Sequence, residues 1–249
     1  MIILKTEEEI SLMKEGGSIL SSVLQKVKKH VRQGVTLKEL DSLAEDLILK
    51  SNGKPSFKGH DSFPSTLCAS VNEVIVHGLP INYPLKEGDI VSLDLGILYK
   101  GFHTDMATTV AVGRIDRKTK KMIEATKKSL FIGIKEAKEG NHFGDISSAI
   151  GNYIEKKGFF VIRDLCGHGI GKSLHEDPQI LNYGEKGKGP VITQGMVFCL
   201  EPMVSMGDYN IVKAKDGFGY ETKDKSLSSH FEATVAVLKS KTLILTPIV

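Results

Sequence analysis

The chain has 249 residues, a formal net charge of +3 and 41% hydrophobic residues. This is enough apolar material for one large domain or two small ones, and the weak charge gives no reason to expect sequence-specific nucleic-acid binding. No run of about 18 apolar residues occurs, so no membrane span is expected. The start, MIILKTEEEI, turns acidic at once and is not a signal peptide. The three cysteines, Cys68, Cys166 and Cys199, are too widely spaced for a disulfide framework or a CxxC site, so we expect a cytoplasmic protein.

The predicted elements alternate between helices and strands. Capping boxes at Thr6–Glu9 and Thr36–Glu39 begin two amphipathic helices, and Gly53 ends the second one. After Gly113 the helical pattern restarts. The other predicted elements are strands near 65–70, 74–77, 89–98 and 104–112, helices over about 119–138 and 144–157, and further strands beyond them.

Two carboxylates interrupt the strand-like stretch VSLDLGILYKGFHTDMATTV, residues 91–110. A turn at Tyr99-Lys100 would place Asp94 directly opposite Asp105, and a turn at Lys100-Gly101 would place them on a diagonal. In both cases the two side chains share one face of the hairpin. Facing like charges are destabilising, and buried unpaired carboxylates are more so. A cation between them would resolve the conflict. The alternative is two solvated aspartates on an edge hairpin.

The restart after Gly113 has the form of an internal repeat. The repeated segments are GVTLKELD and GNHFGDIS at 34–41 and 140–147, Gly53 and Gly158, GDIVSLD and GMVFCLE at 88–94 and 195–201, and DMATTVAV from Asp105 and EATVAV from Glu232. The first three offsets are 106, 105 and 107 residues, and the last pair needs extra residues between its members. This alignment matches Asp94 with Glu201 and Asp105 with Glu232. It predicts two similar halves that each send two carboxylates to a shared centre.

Four carboxylates at one centre require about four compensating positive charges, which two divalent ions supply. Carboxylates combined with imidazoles suit Mn, Co, Fe or Zn, and paired ions are common in hydrolytic sites. Among the eight histidines, His168 in CGHGIG and His77 in VHGLP lie in glycine-containing turns, which favours them over the others as functional residues. The segment GIGKS is not a phosphate loop, because Cys166 stands where that motif requires glycine.

The ordered set of acids and histidine resembles the five-ligand set of the type I methionine aminopeptidases, over essentially the whole chain. The residues that carry the resemblance are Asp94, Asp105, His168 in CGHGIG, Glu201 in CLEPM and Glu232 in HFEATV. It implies an α/β (α+β) pita-bread fold, with antiparallel sheet inside and helices outside. It also implies a single catalytic domain over 1–249, made of pseudo-symmetric halves at about 1–113 and 114–249.

The resemblance assigns roles at a dinuclear centre. Asp105 and Glu232 would bridge two divalent ions, Asp94 would chelate one of them, and His168 and Glu201 would bind the other. A water that bridges the ions would be the nucleophile, and Glu201 would take its proton as general base.

The resemblance also assigns the substrate contacts. His175 would polarise the scissile carbonyl, and His77 would contact the substrate near the scissile nitrogen. A monovalent-cation site of some relatives is matched by Asn72, Val74 and Ser228. The pocket for the methionine side chain would be lined by Phe57, His60, Phe63, Cys68 and Phe218.

The sequence departs from the common family pattern at four positions. Phe218 stands where many relatives have Trp, and His60 stands where Tyr is usual. Asp61 replaces a residue that is often His or polar, and His230 stands where Gln is frequent. These changes leave the ligands intact but affect the expected shape of the pocket and the surroundings of the metals.

We therefore expect a cytoplasmic, monomeric enzyme that removes the initiator methionine from nascent chains, with a transient contact with the ribosome. One alternative is a proline-directed peptidase of the same fold, which the missing N-terminal domain of those relatives disfavours. The other is a non-catalytic member that binds a partner. Such a protein is expected to lose metal ligands, whereas all five are present here.

Overall fold

The computed structural model describes residues 1–248. Four α-helices span Glu7–His30 (α1), Leu37–Lys50 (α2), Arg117–Glu136 (α3) and Phe143–Lys156 (α4), and a short 3-10 helix spans His60–Ser62. Fifteen strands follow in chain order: Lys54–Pro55 (β1), Leu67–Val71 (β2), Val74–Val76 (β3), Ile90–Tyr99 (β4), Phe102–Ala111 (β5), Phe160–Val161 (β6), Cys166–Gly169 (β7), Glu176–Leu181 (β8), Val197–Leu200 (β9), Met203–Ser205 (β10), Ile211–Lys213 (β11), Tyr220–Thr222 (β12), Ser228–His230 (β13), Ala233–Val237 (β14) and Thr242–Ile244 (β15). No helix among these residues is long and apolar enough to cross a membrane.

The helices begin where the sequence predicts. Thr6 and Glu9 form a complete capping box, with each side chain bonded to the other residue's backbone N–H. Thr36 and Glu39 do the same for α2. Helix α3 begins two residues before its predicted start, because the Asp116 side chain accepts the free N–H groups of its first turn.

The central hairpin is formed by β4 and β5. Tyr99 pairs with Phe102, so the turn is Lys100-Gly101, the second of the two predicted alternatives. Both turn residues have positive φ, 48° and 86°, as a two-residue hairpin turn of this twist requires. Asp94 therefore lies opposite Ala107, on a diagonal from Asp105 and on the same face.

Helices cover the outer faces of antiparallel strands in both halves of the chain. Helices α1 and α2 pack on β2, β4 and β5 through an apolar core that includes Leu24, Leu40 and Leu93. Helices α3 and α4 pack on β9 and β14 through a second core that includes Ile150 and Phe198. The second sheet has the strand order β15-β14-β9-β7-β8. The residues predicted to bind metal lie between the two layers of strands. The predicted range 114–249 ends at Val249, which lies outside the described residues.

Equivalent backbone hydrogen bonds relate the two halves. The N–H of Gly88 donates to the carbonyl of Val112, and the N–H of Gly195 donates to that of Val237, both over 2.9 Å. The offset is therefore 107 residues in the first strand of each pair and 125 in the second. Ala107 and Glu232 differ by the same 125 residues and bond to each other, N–H to carbonyl in both directions. Because the two residues are equivalent and bond reciprocally, this pair lies on the pseudo-two-fold axis that relates the two halves.

The same register corrects two predicted matches of the repeat. Leu93 faces Thr108 in the first half, and Leu200 faces Ala233 in the second. Asp105 therefore corresponds to His230, and the predicted match of Asp105 with Glu232 is wrong by two residues. Matching Asp105 with Glu232 requires a gap of two residues between DMATTVAV and EATVAV. Strand β5 and the stretch from β13 to β14 instead correspond residue for residue, so this gap does not exist.

The match of Gly53 with Gly158 is wrong by one residue. The left-handed residue that follows α2 is Asn52, with φ 58°, and the one that follows α4 is Gly158, with φ 78°. Asn tolerates this conformation better than most residues with a side chain. The offset is then 106 residues, as it is between Gly34 and Gly140, which both have φ near 88°.

Candidate metal centre

The five predicted ligands come from both halves and line one cavity of about 710 Å³. Asp94 and Asp105 lie on β4 and β5, His168 lies on β7, and Glu201 and Glu232 lie next to the facing ends of β9 and β14. The carboxylates of Asp94, Asp105 and Glu232 are only 8%, 3% and 2% exposed. One donor atom from each of these three lies within 4.8 Å of the other two.

One oxygen in each of three carboxylates lacks the partner that a buried acceptor needs. Asp94 Oδ1, Asp105 Oδ1 and Glu232 Oε1 have no hydrogen bond within the protein. Burial raises the pKa of Asp94, Glu201 and Glu232 well above the usual range, and repulsion from Asp105 adds to the shift for each of them. Burial likewise raises the pKa of Asp105 to about 7. A buried acceptor without a partner is costly, and divalent cations would satisfy all three orphaned oxygens.

His168 is oriented to offer one nitrogen to the same centre. Its Nδ1–H donates to the carbonyl of Gly169 over 2.9 Å, which leaves Nε2 free and 3.7 Å from Glu201 Oε1. Burial lowers the pKa of His168 to about 4, so the imidazole is neutral near pH 7. A neutral imidazole held by its other nitrogen is the usual form of a metal-binding histidine.

Two threonines fix the backbone of the centre in the same way in both halves. Thr234 Oγ1 accepts from the N–H of Asp105 and donates to its carbonyl, over 2.9 and 2.8 Å. Thr109 Oγ1 makes the same two bonds with His230, both over 2.9 Å. Each half therefore holds in place a residue that the other half contributes to the site, and we call these two contacts the threonine clamps.

His230 occupies the pseudo-symmetric position of Asp105 and is 1% exposed. Neither ring nitrogen has a hydrogen-bond partner, and Nε2 lies 3.7 Å from Glu201 Oε2. Burial lowers its pKa to about 3. In the sequence, His230 stands out only as a departure from the family pattern. An alignment of the repeat without a gap would have placed it in the centre.

Cys199 also borders the centre and was not predicted to do so. Its Sγ, a nitrogen of His168 and an oxygen of Glu232 all lie within 4.8 Å of one another. The available signal was strand periodicity, because Cys199 precedes Glu201 by two residues and so shares its face.

The predicted substrate residues line the same cavity. Phe57, Phe63 and Cys68 are at most 8% exposed, and Phe63 meets Phe218 edge to face with ring centres 5.6 Å apart. Cys68 pairs with Asp94 across β2 and β4, so the apolar wall adjoins the carboxylates.

The remaining predicted histidines lie at the mouth of the cavity. The His175 ring is 4.5 Å from that of His168 and 5.1 Å from that of His60. His77 follows β3 with φ 56°, and its ring lies 6.0 Å from that of Tyr220. All the predicted catalytic and pocket residues are thus brought to one cavity.

The predicted monovalent-cation residues also meet. Ser228 Oγ lies 3.0 Å from the carbonyl oxygens of both Asn72 and Val74. Three oxygens that converge in this way fit a small cation, although the hydroxyl hydrogen bond accounts for the same geometry.

Comparison with known proteins identifies the family to which the chain belongs. The family model for metallopeptidase family M24 matches residues 11–239. The chain belongs to metallopeptidase family M24. A methionine aminopeptidase from Clostridium perfringens is 48% identical to this M24 metallopeptidase over 246 residues, with 99% of each chain covered.

Solved structures agree with this M24 assignment and with the pita-bread fold. The methionine aminopeptidase of Rickettsia prowazekii superposes with a TM-score of 0.97 at 38% identity, covering 99% of this chain and 100% of that one. That of Thermotoga maritima gives 0.97 at 42% identity, with 99% of both chains covered. A prolidase from Pyrococcus horikoshii, at 24% identity and a TM-score of 0.79, shares the fold.

Proposed function

We propose that this M24 metallopeptidase is a methionyl aminopeptidase, which hydrolyses the peptide bond after an N-terminal methionine. The observation that carries the proposal is the joint presence of a buried four-carboxylate centre and an adjoining wall of apolar and sulfur-containing side chains in one cavity. The names of the relatives that match over the full chain support the same activity.

Two divalent ions fit the donor set. Asp94, Asp105 and Glu232 would hold one ion, and Glu232, Asp105, His168 and Glu201 would hold the other. The unpartnered oxygens and the raised pKa values are the features expected of carboxylates that a cation satisfies. Bound Co, Mn, Fe or Zn would supply Lewis-acid polarisation and a water acidified for attack.

The protein's own residues would position the substrate and move the proton. Glu201 would accept the proton of the attacking water, since its side chain lines the cavity beside the other proposed ligands. His175 would donate a hydrogen bond to the carbonyl oxygen as negative charge develops there. His77, which also lines the cavity, would contact the substrate near the scissile nitrogen.

The cavity wall would select the methionine side chain. Phe57, Phe63, Cys68 and Phe218 surround a space that suits a flexible thioether, because sulfur contacts aromatic edges favourably. His60 lies at the rim, with 40% of its side chain exposed, and would contact the peptide at the entrance.

Several broader features belong to the same proposal. Residues 1–249 would act as one catalytic domain and as a monomer in the cytoplasm, with a transient contact with the ribosome as nascent chains emerge. The three unpaired cysteines among the described residues support a reducing compartment. A monovalent ion held by Asn72, Val74 and Ser228 would stabilise the segment before His77.

A chelator-treated sample tests the proposal. Each of Mn, Co, Fe(II) and Zn would be added separately, and release of free methionine from Met-Ala-Ser would be measured beside cleavage of an Xaa-Pro dipeptide. We expect no activity without metal and metal-dependent release of methionine only. Cleavage of the Xaa-Pro substrate alone would replace the proposal with a proline-directed peptidase, and absence of both activities with metal bound would indicate a binding protein.

A further inference from the structure

Cys199 has a counterpart in the first half of the molecule. Ser92 precedes Asp94 by two residues, as Cys199 precedes Glu201. The Ser92 hydroxyl lies 2.9 Å from Thr109 Oγ1, and Cys199 Sγ lies 3.4 Å from Thr234 Oγ1. The two halves therefore place an oxygen and a sulfur at equivalent positions beneath the centre.

The surroundings of this sulfur differ from those of an ordinary core cysteine. Cys199 is fully buried, yet its Sγ lies within 4.8 Å of a His168 nitrogen and of a Glu232 oxygen. Glu232 Oε1 is buried without a hydrogen-bond partner. The cluster that contains His168 thus offers nitrogen, sulfur and oxygen donors, whereas the cluster of Asp94, Asp105 and Glu232 offers oxygen only.

We propose that Cys199, His168 and Glu232 form a nitrogen–sulfur–oxygen site for a thiophilic divalent ion. This deepens the proposed function, on which it depends for the metal-binding roles of His168 and Glu232. The thiol releases its proton to solvent as the sulfur binds the ion. Thiolates prefer Zn²⁺, Cd²⁺ and similar soft ions, whereas Mn²⁺ prefers carboxylate oxygen. The two metal positions therefore differ in their preferred ion.

Absorption spectroscopy with Cd²⁺ tests the sulfur bond directly. Cd²⁺ bound to a thiolate gives an ultraviolet charge-transfer band that carboxylate and imidazole ligands do not give. We expect this band when Cd²⁺ is added to the metal-free protein, and its loss in Cys199→Ser. Calorimetry should show that the substitution weakens Cd²⁺ binding by at least about tenfold, in the range typical of changes at metal sites. Mn²⁺ affinity should change little.

The chain supplies its own controls, because Cys68 and Cys166 line the cavity but belong to neither of the two clusters of close donor atoms. Cys68→Ser and Cys166→Ser should each keep the band. Serine is the residue at the equivalent position of the first half, so Cys199→Ser is expected to fold, and Cys199→Ala with circular dichroism provides a second check.

Two results would overturn the sulfur site alone: Cd²⁺ binding without the band, or a band that persists in Cys199→Ser. If neither Mn²⁺ nor Cd²⁺ bound the wild-type protein, the proposed metal centre would fail as a whole, and the sulfur site with it.

Discussion

At the scale of single residues, Glu201 lies between two imidazoles. Its Oε1 is 3.7 Å from His168 Nε2, and its Oε2 is 3.7 Å from His230 Nε2. Both histidines are neutral near pH 7, since burial lowers their pKa values to about 4 and about 3. Neither histidine is therefore a cation that pairs with Glu201 near pH 7, which suits the proposed role of Glu201 as acceptor of the water proton.

Glu201→Gln tests this role. Glutamine keeps the size and one coordinating oxygen but cannot accept a proton. The rate should fall by about 10² or more, in line with the loss of a general base, while at least one metal ion remains bound. Steady-state kinetics beside metal analysis of the same sample would measure both effects. A near-normal rate with metal in place would remove Glu201 from the proton transfer.

His168 and His175 are seven residues apart in the sequence, and their ring centres are 4.5 Å apart. Replacing each with alanine should nevertheless have different effects. His168→Ala removes a proposed ligand and should lower both the metal content and the rate. His175→Ala should keep the metal and lose kcat by about 10²–10³, the usual effect of one oxyanion donor. Calorimetric metal titration of both variants would check the pair. Equal metal loss in the two would place His175 among the ligands.

At the scale of elements, the threonine clamps join β5 of one half to β13 and β14 of the other. Thr234→Val removes the acceptor for the Asp105 N–H, and Thr109→Val does so for the His230 N–H. A buried donor without a partner costs about 1–3 kcal/mol, so urea unfolding of the metal-free protein should show a loss of this size in both variants.

The two clamp variants should differ in metal binding. Asp105 is a proposed bridging ligand, whereas the His230 ring lies next to Glu201. Thr234→Val should therefore weaken metal affinity more than Thr109→Val, and calorimetry on the two proteins would measure the difference. Equal losses would show that the clamps stabilise the fold without ordering the ligands.

A glycine in α1 shows how closely that helix packs. A Cβ at Gly17 would lie 2.2 Å from the carbonyl oxygen of Leu245. Alanine favours a helix by about 1 kcal/mol over glycine, but forced overpacking costs about 1–3 kcal/mol. Because the obstacle is backbone, Gly17→Ala should destabilise the protein in thermal unfolding. Ser18→Ala, on the exposed side of α1, is the matched control and should be nearly neutral.

At the scale of the whole molecule, the buried charges set the pH dependence of the metal-free protein. Asp94, Asp105, Glu201 and Glu232 have pKa values raised by burial, so the folded state binds more protons than the unfolded chain. Their favourable contribution is present at low pH and is lost as pH rises through the folded values, including about 7 for Asp105.

The histidines act in the opposite direction, but only below about pH 6.5, where the unfolded chain protonates them. Between about pH 6.5 and 8 the carboxylates dominate, so the melting temperature of the chelated protein should fall as pH rises. Added Mn²⁺ should stabilise more at pH 8 than at pH 6.5, because it binds the deprotonated acids. Calorimetric scans with and without Mn²⁺ would measure this, and a chelated protein more stable at pH 8 would contradict it.

Local signals made much of this fold predictable. The capping boxes, the two-residue turn and the alternation along β4 each depend on residues close in sequence. The second half was harder to predict because the hydrogen-bond ladder between β9 and β14 stops where β9 ends. Pro202 has no N–H to donate, and Glu201 and Glu232 face each other across that break, so neither residue lies within a strand. Cys199 meets His168 only because β7 pairs with β9, which no local pattern shows.

The threonine clamps also fix when the site can form during synthesis. Asp105 and Thr234 are separated by 129 residues. At about 5–20 residues per second, translation takes about 6–26 seconds to cover that distance. Until then β5 lacks its hydrogen bonds to the second half, and the carboxylates of the first hairpin lack the proposed ligands that the second half contributes. The proposed centre can therefore capture ions only after the second half has been made, and we expect metal loading to come late in the biogenesis of the protein.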